Sequence, residues 1–345
     1  MSVPVSSARL TLVFSCIGHA YAHLFVLLYA TAVLVIEREF NLPYADLIWL
    51  SVPGFVMFGL GAIPAGWLAD RWSGAGMLAV YFLGLGGASI VTGLANSTWG
   101  LLVGLTLIGT FASIYHPVGI ALVVAGAKSR GRALGINGVF GNVGTALGAL
   151  VAGLLADTYG WRAAFLAPGG VALATGLVFA IVVSRGAIAD GRVDITRHEE
   201  PSSVDRRRGI VFLAFTTLCA GLVFNATSVG LPKLFSERLS DFAGEGALGV
   251  GALVSIVYLV STLGQVVGGE LADRFTLKWV YLGGHLLQMP AILIAIVSHN
   301  MVLVAAAAMM ATMNLGAQPA ENALVARLTP LAWRARAFGV KFVIT

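Results

Sequence analysis

Three histidines, one glutamate and a set of amides interrupt stretches of the chain that are otherwise apolar. His19 and His23 stand one helical turn apart in the first apolar run, and His116 sits in the phrase Tyr115-His116-Pro117 of the fourth. Asn225 lies in the seventh run, and Asn314, Gln318, Glu321 and Asn322 lie together in the tenth. Ionisable groups inside such runs are costly to hold away from water and are retained chiefly for function. Histidine changes charge near neutrality, and a carboxyl withdrawn from water takes up a proton more readily, so these residue types suit proton transfer. Each also has a plainer reading as a hydrogen-bonded structural group, the reading adopted for His285.

Other chemistries leave no trace. There is no His-Glu-x-x-His, no Gly-x-Ser-x-Gly and no phosphate-cradling Gly-Lys-Ser/Thr phrase, so neither an enzyme, a resident metal nor a cofactor is expected. The only two cysteines, Cys16 and Cys219, fall inside apolar runs and read as small buried hydrophobes.

The elements that must position these groups are membrane helices. Hydrophobic residues make up 58% and charged residues 11% of the 345 positions, against about 25% charged in a soluble domain. Runs of the roughly 20 apolar residues that a helix needs to cross hydrocarbon recur throughout. They are read at 10–36, 46–68, 78–96, 100–126, 134–156, 163–184, 210–231, 249–271, 279–298 and 301–326, and another begins near 337. A closed barrel needs short alternating segments, which are absent. The first run is too long for a cleaved signal peptide, so the chain is expected to begin at or near Met1.

The net charge of +5 reports topology rather than a nucleic-acid partner. With the N-terminus placed in the cytoplasm, sixteen of the 21 Lys and Arg residues fall in cytoplasmic segments and four, Arg38, Arg162, Lys233 and Arg238, fall outside. Lys341 is left inside the last run.

The chain is also duplicated. Gly66-Trp67-Leu68-Ala69-Asp70-Arg71 returns as Gly269-Glu270-Leu271-Ala272-Asp273-Arg274, each at the end of an apolar run. Pro117-Val-Gly-Ile-Ala121-Leu122-Val123 is echoed by Pro319-Ala-Glu-Asn-Ala323-Leu324-Val325, and Arg130-Gly-Arg132-Ala133 by Arg334-Ala-Arg336-Ala337. A polar stretch, Arg185 to Arg208, separates the copies and cannot bury enough apolar surface to fold alone. The expected organisation is a six-helix bundle over 1–184, a charged cytoplasmic linker over 185–209 and an incomplete second bundle over 210–345.

Six spans, a linker and a second set in parallel repeat, with the two Gly-x-Leu-Ala-Asp-Arg phrases, resemble the major facilitator superfamily. That resemblance implies an all-α membrane protein of two pseudo-symmetric bundles, six helices and about five, that alternates access around a central cavity. It implies that Asp70 and Arg71, with Asp273 and Arg274, form a cytoplasmic gate. Asp70 would meet the start of an eleventh helix near Arg336 and Ala337, and Asp273 the start of the fifth near Arg132 and Ala133, because a helix N-terminus favours an anion. Glu270 is assigned to the same gate. The phrases depart from the family pattern at Trp72-Ser73-Gly74-Ala75 and at Phe275-Thr276-Leu277-Lys278.

The resemblance further implies that spans 1, 4, 7 and 10 line the cavity. His19, His23, His116, Asn225, Asn314, Gln318 and Glu321 would then contact substrate or couple a proton. Gly135, Gly138, Gly141, Gly144 and Gly148 bare a strip on the fifth span for close packing. That strip partly resembles an antiporter signature, with Ala149 and Ala152 where the pattern has Pro and Gly, while Leu105 replaces an Arg common among proton antiporters. Gly109 to Pro117 resembles the fosmidomycin-resistance-like branch of drug efflux carriers. The expectation is a monomeric carrier of the inner membrane, proton-linked and exporting small amphiphilic compounds; uptake of a small organic acid or other metabolite is the alternative, and a membrane sensor or enzyme the competing class. Because the superfamily has six helices per half, the sequence is expected to be truncated in helix 11.

Overall fold

The computed structural model describes residues 5–126, 130–188, 203–244, 246–329, 340, 341 and 343. All elements among them are helical. The first half comprises α1 (Val5–Phe40), α2 (Tyr44–Trp49), α3 (Val52–Leu60), α4 (Ala62–Arg71), α5 (Gly74–Gly93), α6 (Thr98–Ala112), α7 (Tyr115–Gly126), α8 (Arg130–Tyr159) and α9 (Ala163–Ser184). The second comprises α10 (Ser203–Arg238), α11 (Ser240–Ala243), α12 (Ala247–Arg274), α13 (Leu277–Val297) and α14 (Met301–Leu328). Together they supply ten candidate membrane spans, α2–α4 and α6–α7 each forming one span in pieces. These are the ten runs read from the sequence.

The broken spans have a local cause. Proline has no N–H to donate and its ring clashes with the carbonyl four residues back. Pro53 starts α3, and Pro64 follows the break at Gly61. Pro117 has Ser113 four residues before it, where α6 ends, and α7 restarts at Tyr115. His116 therefore sits in the first turn of a new helix rather than midway along a straight one.

As described, α10 spans Ser203–Arg238 and so takes in residues 203–209 of the segment expected as linker. Residues 189–202 lie outside the described residues, as do Arg336 and Ala337 and nearly all of the run beginning near 337.

Large apolar side chains cover the outer faces: Phe215, Leu263 and Leu293 are each about two-thirds exposed. Such belts suit hydrocarbon rather than water. Inside, one core runs from Phe14 to Ile188 and a second gathers Phe235, Val254, Tyr258 and Leu303. The second core also takes Ala146 and Ala149 from α8, so α8 is the seam between the halves.

Candidate functional site

α1, α7 and α8 build the first polar cluster. The imidazoles of His19 and His23 lie with ring centroids 5.1 Å apart, and His116 lies 5.3 Å from the first and 5.4 Å from the second. His116 is buried, whereas His19 and His23 are partly exposed. His19 is held on two sides: its Nδ1 donates to the Asn137 carbonyl at 2.8 Å, and its ring stacks on Tyr115. Tyr115 is fixed in turn, donating its hydroxyl to the Ser15 carbonyl at 2.7 Å and accepting from Asn137 Nδ2 at 2.7 Å. Gly141 leaves room for the His19 ring, since a Cβ there would lie 2.6 Å from Nε2.

A ladder of neutral amides crosses the seam. Asn142 of α8 donates to Gln265 Oε1 of α12 at 2.7 Å, and Gln265 Nε2 donates to Gln318 Oε1 of α14 at 3.1 Å. Beyond it, Lys341 forms a 2.6 Å ion pair with Glu321, both side chains at least nine-tenths buried. Lys341 also donates to Asn322 and lies within electrostatic reach of His116. Charges taken out of water in this way are tolerated only when paired. Asn314 donates to the Ala220 carbonyl of α10 at 3.4 Å, while Asn225 donates to Gly221 of its own helix at 3.0 Å.

The two ends of the molecule differ. At the end away from the linker, α8 and α12 are clasped: Asp157 accepts from the Ala247 and Leu248 amides at 2.9 and 2.7 Å. A carboxylate on these unsatisfied N–H groups is favoured by their dipole. Gly246, just before α12, has φ +104° and its would-be Cβ lies 2.6 Å from Asp157 Oδ2, so only glycine fits there. Lys233 of α10 adds an ion pair to Glu37 of α1 at 3.1 Å, and Tyr44 donates to the Val229 carbonyl at 2.8 Å. At the linker end, Asp70 and Asp273 are exposed and, among the described residues, neither bonds to the opposite half. Arg71 lies over the Trp67 ring and Arg274 pairs with Glu270 of its own helix. The side chain of Arg132 lies outside the described residues.

The glycine strip is uneven. A Cβ on Gly144 would collide with the Ala20 carbonyl of α1, and one on Gly148 would lie 3.1 Å from the Leu24 carbonyl. Gly138 would meet Gln265 Oε1 at 3.4 Å, an ordinary contact, and Gly135 meets nothing within 4 Å. Tight contacts therefore start at Gly141, six residues beyond Gly135, which has open space around its Cα. Asp157, Glu37 and Gln265 are the polar residues that sequence reasoning passed over. Their partners lie 53 or more residues away, and the one local sign was Gly246 before an apolar run.

Comparison with known proteins identifies the chain's relatives. The Major Facilitator Superfamily model matches residues 14–344. The multidrug resistance protein MdtG of Proteus mirabilis is 26% identical over 236 residues, 66% of this chain and 58% of that protein. The puromycin resistance protein pur8 of Streptomyces alboniger is 30% identical over 41% of this chain and 29% of its own length, and the tetracenomycin C resistance and export protein of Streptomyces glaucescens 29% over 53% and 33%. The chain thus matches between about a third and three-fifths of the length of these relatives. Among solved structures, a bacterial homologue of the human lysosomal transporter Spinster superposes with TM-score 0.79 at 16% identity, covering 100% of this chain and 80% of that one. The D-xylose–proton symporter gives 0.73 at 14%, covering 97% and 86%.

Proposed function

This chain belongs to the Major Facilitator Superfamily, a multi-pass membrane transporter and not an enzyme, and on that premise we propose that it is a proton-coupled exporter of small amphiphilic compounds. The two bundles, 1–184 and 210–345, are its moving units, and they lie in the inner membrane with the N-terminus and linker in the cytoplasm. The observation that carries the reading is the buried ion pair of Glu321 with Lys341. A proton delivered to the Glu321 carboxylate gives a neutral carboxyl and dissolves the pair, leaving the Lys341 ammonium to seek another partner. Loss of the proton restores it. A charge pair that must be broken and remade once per cycle links protonation to conformation.

Around it, His19, His23, His116, Asn225, Asn314 and Gln318 offer polar contacts to a solute that is otherwise held by apolar surface. Export is supported by the names of the relatives, which are resistance and export proteins. Asp70 and Asp273, exposed at the linker end, are the acids that close the cytoplasmic side when the clasp at the other end opens.

The test is transport by proteoliposomes carrying an imposed pH gradient, with a chemically broad set of solutes. Glu321→Gln fixes the neutral form, so it should abolish concentrative transport while sparing exchange down a solute gradient. Uphill transport by Glu321→Gln at the wild-type rate would remove Glu321 from the coupling step.

A further inference from the structure

The histidine cluster has a geometry that neither solute contact nor packing requires. One nitrogen from each of His19, His23 and His116 lies within 4.8 Å of the others. We propose that these three imidazoles form a binding site for a divalent late first-row transition metal ion of the Zn2+, Co2+ or Ni2+ class, a site independent of the coupling role assigned to Glu321.

The donor set selects the metal. Neutral imidazole is a preferred ligand for zinc, copper, nickel and cobalt, whereas Mg2+ and Ca2+ require oxygen. Three protein ligands with a fourth position left open is the arrangement of zinc sites that take an exchangeable ligand. The second shell is also in place. A carbonyl can only accept, so the His19 Nδ1 that faces the Asn137 carbonyl at 2.8 Å carries the proton. Nε2 is then the lone-pair nitrogen, in the tautomer a metal needs, and a backbone carbonyl holding the other nitrogen is the usual support for a metal-bound histidine. Stacking on Tyr115, itself pinned to Ser15 and Asn137, fixes the ring plane.

A tetrahedral ion with bonds of about 2.0–2.1 Å needs the nitrogens to close further, which rotation of the partly exposed His23 allows. His19 and His23 retain partial exposure, whereas His116 is buried behind them. Lys341 is the cation within reach of His116, and Glu321 balances its charge. The His116 ring is flanked edge-to-face by Phe58 and Tyr115.

Tag-free purified protein titrated with Zn2+ by calorimetry should bind one ion per chain, and Co2+ should develop visible d–d bands of nitrogen coordination that Zn2+ bleaches. His23→Gln and His116→Gln should each weaken Zn2+ binding at least tenfold, and Zn2+ should raise the thermal unfolding midpoint of the wild type but not of these variants. His285→Gln and His299→Gln should leave affinity unchanged. The proposal is overturned if the wild type binds no Zn2+ or Co2+, or if a folded His23→Gln variant, monodisperse by gel filtration, binds as the wild type does. None of these three readouts uses transport, so failure of the proposal is separable from failure of the coupling reading.

Discussion

The clasp between α8 and α12 is the interaction whose removal has the most readable consequence. Asp157→Ala deletes both acceptors of the Ala247 and Leu248 amides. Two charge-assisted hydrogen bonds in a buried setting would be worth about 1.5–3 kcal/mol each, but Asp157 is exposed. The relevant scale is that of helix N-caps, about 1 kcal/mol for loss to alanine. Since about 1.4 kcal/mol is tenfold in an equilibrium, the conformer open at that end should become about fivefold more populated. Leu34, on α1 and packed against the second core, reports the opening. In a background with Cys16 and Cys219 replaced by serine, the alkylation rate of Leu34→Cys should rise about fivefold with Asp157→Ala and less with Asp157→Asn, which keeps one acceptor oxygen. A rate unchanged within a factor of two, in a variant that remains folded, would show that the clasp does not set the equilibrium.

Asp70→Asn and Asp273→Asn should act with the opposite sign. They weaken closure at the linker end and so slow alkylation at Leu34→Cys, with stability held within about 0.5 kcal/mol because both side chains are exposed here; a faster rate would contradict the gate. Single cysteines at Ser203 and Ser240 should label from opposite sides of a sealed membrane, the first from the cytoplasm, and labelling from one side would sink the ten-span topology. Tyr115→Phe leaves the buried Asn137 amide with only the weak acceptor Cys16 Sγ and the Ser15 carbonyl without its donor, and should cost about 1–3 kcal/mol in unfolding measurements in detergent, an effect that Tyr159→Phe, at the surface, should not reproduce.

The ten spans were legible because length and apolarity are properties of single segments, and a membrane leaves few other ways to satisfy the backbone. His19 and His23 were readable as neighbours from their spacing, whereas the break before Pro117, between α6 and α7, was read as part of one continuous span over 100–126. What could not be read is what depends on two segments meeting. Lys341 lay in a run of its own, with nothing local to join it to Glu321. Asp157, at the end of a span, drew no notice, because its partners are amides of a helix 90 residues on. Gln265 sat in an apolar stretch without the periodic signature that drew attention to the glycines of α8. The gate acids were singled out by a repeated phrase and the family resemblance it carries, and neither says which conformer the chain occupies.

The amide ladder from Asn142 through Gln265 to Gln318 has an electrical consequence. Each rung is neutral, with Gln265 accepting from Asn142 and donating to Gln318, and an amide can exchange one such partner for another without moving net charge. The membrane potential does work of about 2.3 kcal/mol per elementary charge per 100 mV, and it finds nothing to pull on there. Beyond the ladder, the ammonium of Lys341 and the carboxylate of Glu321 are joined as a dipole with no net charge, and under the proposed coupling the field would gain a full charge to act on there when a proton separates them.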